Sequence, residues 1–206
     1  MSPTGPELPA LQKAAGVVLS GGLLIYPTDT LYGLAADPRR ATAVAKVFAL
    51  KGRSAGKALP LAAADLTQAE AAGIFSPLAR ALAMHFWPGP LTLVVAVSDR
   101  LAEGVDGGTK SVALRVPDHI VARALAAIVG FPVVSTSANR AGLHPSRLAE
   151  EAMAGLAGAP VEAVLDAGPT PGGPPSTIVD ARFDEPALIR AGAVPFERVL
   201  EAVARR

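Results

Sequence analysis

Residues 51–57 read KGRSAGK, placing Lys51, Arg53 and Lys57 within seven positions and spacing them with glycine, serine and alanine. A cation at a helix C-terminus is favoured by the macrodipole. That accounts for Lys51 but leaves Arg53 and Lys57 unexplained. Small spacers let the charges close on an anion, with arginine offering a planar fork and lysine a compact charge. A phosphate chain is the natural guest. Hydroxyl-rich segments follow apolar runs elsewhere. STSAN (135–139) packs three hydroxyls and an amide into five residues, where a helix N-cap would use one such side chain. PSTIVD (175–180) adds Ser176 and Thr177, and YPTDTLYG (26–33) adds Thr28 and Thr30. In that last segment Pro27, Asp29 and Gly33 read as ordinary turn residues. Arg115 and Arg190 are charges inside otherwise apolar runs, SVALRVP and ALIRAG, where an arginine usually faces solvent.

Familiar phosphate and nucleophile signatures are missing. The nearest approach to a Walker loop is GVDGGTKS (104–111), in which Thr109 stands where the second glycine belongs. No GxGxxG or GxSxG occurs. The chain has no cysteine, which removes thiolate chemistry and disulfides, and its three histidines, His85, His119 and His144, form no ligand-spaced pair. His85 and His119 read as structural. Cations and hydroxyls without a protein nucleophile suit adenylyl transfer, in which the substrate attacks phosphorus while the enzyme positions groups and neutralises charge.

The elements that must position these residues are short. The 206 residues are 50% hydrophobic and 18% charged, with a net charge of +1. This supports a real core in one domain over 1–206, with 1–6 a loose tail. Aromatics at 4% argue against stacking platforms for single-stranded nucleic acid. No apolar run is long enough to span a bilayer and the start lacks a signal-peptide pattern, so a cytoplasmic location is expected. Helical patterning marks 7–20, 37–51 (Asp37 as N-cap, Pro38 at the first position), 76–87, 119–130, 145–157 and 195–206. Strand patterning marks 23–27, 58–64, 91–97, 111–117, 131–135 and the segments VEAVLDAG, STIVDAR and ALIRAG. WPGPLT (87–92) reads as a rigid turn with a packing tryptophan. Neighbouring strands often lack an intervening helix. That predicts an α+β, three-layer chain with a twisted, mixed, largely antiparallel sheet flanked by helices.

PTDTLYGL, KGRS, PGPLT, VALRVPDH, STSAN, PSTIVD and LIRAGA occur in an order that resembles the threonylcarbamoyl-AMP synthase family, the YrdC-like domain. The resemblance covers about residues 10–200, and because the chain ends there it is similar to the short bacterial form. It implies a YrdC-like fold and a nucleotidyltransferase reaction. L-threonine, bicarbonate or carbon dioxide, and ATP with Mg²⁺ give L-threonylcarbamoyladenylate and pyrophosphate. A tRNA threonylcarbamoyltransferase complex then uses the adenylate to make threonylcarbamoyladenosine.

The resemblance also implies roles. Lys51, Arg53, Ser137 and Asn139 would form the catalytic set. Lys51, Arg53, Lys57, Ser111, Ser137, Asn139, His144 and Arg190 would contact ATP, and Thr28, Arg115, Ser135 and Ser176 would contact threonine. Mg²⁺ would be held mainly through ATP, with no protein metal site and no tightly bound cofactor. Two departures stand out: RAGLHPSR after SAN is about one residue shorter than usual and puts His144 before the proline, and small residues surround Ala62 where some relatives carry histidine. On this reading, Lys51→Ala or Arg53→Ala folds normally and loses adenylate formation. An RNA-binding or ribosome-assembly module of the same fold is the alternative, with weak RNA contact as its partner expectation.

Overall fold

The computed structural model describes residues 7–52 and 58–205, so Arg53, Lys57 and the expected N-terminal tail lie outside the described residues. In chain order the elements are α1 (Leu8–Leu19), β1 (Leu24–Pro27), β2 (Tyr32–Ala35), α2 (Ala41–Lys51), β3 (Leu61–Ala62), α3 (Leu66–Glu70), β4 (Gly73–Ile74), α4 (Pro77–Phe86) and β5 (Leu91–Val97). They continue with β6 (Ser111–Arg115), α5 (Ile120–Val129), β7 (Val133–Val134), β8 (Thr136–Ser137), α6 (Ala149–Gly155), β9 (Ala163–Val164), β10 (Thr177–Asp180), β11 (Ala187–Arg190) and α7 (Phe196–Ala204).

The expected mixed sheet is divided into two hydrogen-bonded sheets. The smaller runs β8-β2-β1-β9 and the larger runs β11-β10-β5-β6-β3-β7, with β4 attached to β5. Parallel pairs (β1–β9, β10–β5, β3–β6) sit among antiparallel ones. Between β7 and β8 the chain passes from the larger sheet to the smaller across a single residue. Val134 ends β7 in the larger sheet, Thr136 opens β8 in the smaller, and Ser135 links them with its N–H on Pro60 O at 2.8 Å.

Strand β1 explains the layering. All four of its residues are buried, so successive side chains feed opposite faces. Ile25 joins the larger core, shared with Leu34, Leu61, Leu93 and Leu114 between the sheets. Leu24 and Tyr26 join a second core built with Leu11 and Val18 of α1 and Val121 and Leu125 of α5. Burial on both faces makes the run read as continuously apolar rather than alternating.

Local signals decide where the helices begin. Ser76 Oγ accepts from Ala79 N–H at 3.0 Å and Pro77 takes the first position of α4, as its sequence predicts. Helix α2 differs. It starts at Ala41, not behind Asp37, because the Asp37 carboxylate is engaged by Arg39 through its N–H (3.0 Å), Nε (2.9 Å) and Nη2 (2.8 Å). Residues 37–40 therefore form a turn, closed by Arg40 N–H on Asp37 O. The helix ends at Gly52, whose φ of 57° suits glycine and stops the helix directly after Lys51. Among the described residues no helix is long and apolar enough to cross a membrane.

Candidate active site

Register alone brings two arginines to one face. Ile178 of β10 pairs with Thr92 of β5 on one side and Arg190 of β11 on the other. Continuing the β5–β6 register by one residue sets Arg115 opposite Thr92. Residues in one row across a sheet project to the same face. Arg190, Ile178, Thr92 and Arg115 therefore share a face, while Leu91, Leu93 and Val179 point into the core. These four residues floor a cleft of about 300 Å³. Its other walls come from the smaller sheet and its turns: Thr28, Thr30, Tyr32, Ser135, Thr136 and Ser137, with Ser176 at the start of β10.

Neighbouring groups hold several of the polar side chains in the cleft. Thr28 Oγ1 donates to Leu31 O at 2.7 Å and accepts from the N–H groups of Thr30 and Leu31, closing the β1–β2 turn. Tyr26, fully buried and pushed by that burial to a pKa of about 12, donates its phenol proton to Ser135 Oγ at 2.6 Å. This leaves the Ser135 hydroxyl hydrogen for another acceptor. Ser176 Oγ meets Thr92 Oγ1 at 2.8 Å, and Arg190 Nη2 donates to Ser176 O at 2.7 Å. Burial, and then the nearby charge of Arg115, lower the pKa of Arg190 from its usual value. Arg115 does not face bulk solvent: its side chain is 11% exposed, and Nη1 donates to Asp29 Oδ1 at 2.8 Å and Oδ2 at 3.1 Å.

Beside the cleft lies a second cluster. Lys51, the last residue of α2, is buried, and its ammonium donates to Ser137 O (2.7 Å), Asn139 O (2.7 Å), Asn139 Oδ1 (3.1 Å) and Ser137 Oγ (3.2 Å). Asn139 in turn donates through Nδ2 to Arg140 O and Leu143 O. Lysine, serine and asparagine thus meet as one corner, but the lysine clamps the chain there instead of lining the cleft.

Of the residues singled out by sequence, the cleft gathers Thr28, Arg115, Ser135, Ser137, Ser176 and Arg190, and the adjoining corner holds Lys51 and Asn139. Ser111 is elsewhere, at the far end of β6 from Arg115 with its hydroxyl on Thr109 Oγ1. His144 is exposed next to Pro145 at the cleft rim. His119 Nδ1 is buried with no hydrogen-bond partner among the described residues, and burial holds the imidazole below its usual value against the pull of Asp29 and Asp118. Sequence reasoning passed over Asp29, Thr92 and Tyr26. Only the strand register could have signalled Thr92, and nothing local marks Asp29 as more than a turn residue.

The Sua5/YciO/YrdC family model, described as "Telomere recombination", matches residues 17–192. The chain belongs to the Sua5/YciO/YrdC family. Within it, the chain is 36% identical over 197 residues to a threonylcarbamoyl-AMP synthase of Bacillus subtilis, a match covering 95% of this chain and 56% of that protein. It is 42% identical over 132 residues to one from Thiobacillus denitrificans, covering 64% and 70% respectively. It also resembles the crystal structure of P. abyssi Sua5 complexed with L-threonine, with a TM-score of 0.87 and 35% identity over 93% of this chain and 56% of that one. The chain spans just over half the length of the Bacillus and P. abyssi relatives.

Proposed function

We propose that this chain, acting as one domain over 1–206, is a nucleotidyltransferase that makes L-threonylcarbamoyladenylate. The observation that carries the reading is the row of Arg115, Thr92 and Arg190 beneath a rim of hydroxyls, beside the Lys51–Ser137–Asn139 corner. The names of the relatives supply threonylcarbamoyl-AMP as a product and L-threonine as a ligand, and ATP is the adenylyl donor such a product calls for. The guanidinium groups of Arg115 and Arg190 suit the threonine carboxylate, and Thr28, Ser135 and Ser176 suit its polar groups. Amine and bicarbonate condense to a carbamate with loss of water. A carbamate oxygen then attacks the α-phosphorus of ATP, a new P–O bond forms, and the bond to the β-phosphate oxygen breaks to release pyrophosphate. Ser137 and Asn139, held by Lys51, would serve the nucleotide half, and the same half would draw on Arg53, Lys57, Ser111 and His144.

Bringing carbamate and triphosphate together sets two anions against each other, so positioning and charge neutralisation are what the protein must contribute. Magnesium enters as the substrate complex MgATP. Among the described residues no group of three His, Asp or Glu side chains could hold a metal. The adenylate would pass to a transferase acting on tRNA, and the protein would then work in the cytoplasm. The test is pyrophosphate release from MgATP with L-threonine and bicarbonate, each omitted in turn. Release should require all three, and release that continues without threonine would overturn the reading.

A further inference from the structure

Asp29 sits in the turn between β1 and β2, yet its carboxylate is spent on another element. Arg115 Nη1, from the end of β6, reaches both carboxylate oxygens at 2.8 and 3.1 Å, and Asp118 N–H donates to Oδ2 at 3.3 Å. Both side chains are nearly buried, at 10% and 11% exposure. Among the described residues the remaining donors of Arg115, Nε and Nη2, make no hydrogen bond, while the residue lines the cleft. Arginine has many rotamers, and a guanidinium presents a bidentate edge only when its plane is fixed. The strand register puts Arg115 on the cleft face but does not set that plane. Asp29 does.

A carboxylate beside an anion site would ordinarily repel the guest. Here it is neutralised by Arg115, and among the described residues no carboxylate pairs with Arg190. The cleft face therefore carries about one net positive charge from its arginines, matched to one carboxylate on the ligand.

We infer that Asp29 is a positioning residue for the amino-acid half of the cleft: it ties one nitrogen of Arg115 and thereby aims the other edge of the guanidinium at the substrate carboxylate. This rests on the reading of the cleft as a threonine site.

The test is calorimetric binding to the full chain, with L-threonine and L-threoninamide as ligands and ATP as control. Asp29→Asn should weaken L-threonine by roughly 5- to 50-fold, within the range of couplings between contacting groups, and leave ATP affinity unchanged. L-threoninamide, which lacks the carboxylate, should bind wild type more weakly than L-threonine and be indifferent to Asp29→Asn. In an Arg115→Gln background Asp29→Asn should change nothing further, because Asp29 acts only through Arg115. Asp29→Glu keeps the charge and should recover part of the affinity. If Asp29→Asn fails to fold, Asp29→Glu carries the same comparison, since a longer side chain shifts the guanidinium and should weaken only the carboxylate ligand. Equal loss for acid and amide, or a loss that persists without Arg115, would overturn the inference by marking Asp29 as merely structural. Wild type that binds threonine alongside an indifferent Asp29→Asn sinks this inference alone. Wild type that does not bind threonine sinks the inference and the proposed function together.

Discussion

Replacing Lys51 with methionine removes the ammonium that gathers four oxygens of residues 137 and 139. The Ser137 hydroxyl and the Asn139 amide can rotate toward other partners, but the two main-chain carbonyls at 2.7 Å cannot. Each orphaned buried acceptor costs about 1–3 kcal/mol. Removing a buried charge returns part of the desolvation it had paid. Methionine refills most of the volume, so the net expectation is a loss of about 3 kcal/mol. For a chain of this size that is roughly a 6–12 °C fall in Tm. Thermal unfolding followed by circular dichroism reads it, with pyrophosphate release measured on the same preparation. Ser137→Ala is the control: it keeps the carbonyl and should cost less than about 1 kcal/mol. A Tm within about 2 °C of wild type for Lys51→Met, whatever its turnover, would refute the clamp and return Lys51 to a purely substrate-facing role. This outcome differs from the expectation drawn from sequence that removing Lys51 leaves folding untouched.

Gly192→Ala should fold less stably and bind L-threonine more weakly. A Cβ there would collide with Pro175 O and stand 2.6 Å from Thr177 N, forcing apart the backbone that seats Ser176 and Arg190. Unchanged binding would show the cleft wall to be independent of this approach. Burial raises Asp37, but the guanidinium and N–H of Arg39 outweigh it, so its pKa lies below the usual value of 3.8. A depressed carboxylate contributes stability above its unfolded pKa and loses it as pH falls through the folded one. Tm should therefore hold above about pH 5 and decline below about pH 4. Asp37→Asn should shrink that decline, and an unchanged acid slope would count against the assignment.

How much the sequence disclosed depended on the length of each element. Helices α1, α4, α5 and α7 carry enough turns for apolar spacing to speak, and they fall close to their expected places. Strand β2 went unread because its residues, YGLA, are buried throughout and follow a segment rich in turn formers. Pairs such as Leu61–Ala62 or Thr136–Ser137 are too short to show a period, and only their partners make them strands. Arg115 was read as a residue of the solvated face, yet the second sheet roofs that face. Chemistry was more legible than position: STSAN, PSTIVD and KGRSAGK announced hydroxyls and cations from their composition. That Asp29 reaches Arg115, 86 positions away, is a product of the fold and has no local trace.

Ser135 alone links β7 of the larger sheet to β8 of the smaller, and the cleft opens against it. Any guest braced between Ser135–Ser137 and the arginine row acts as a rivet through two plates. Amide hydrogen exchange should then slow in both sheets at once on loading, even in strands the guest never touches. Occupancy and stiffness would rise and fall as a single variable in this protein.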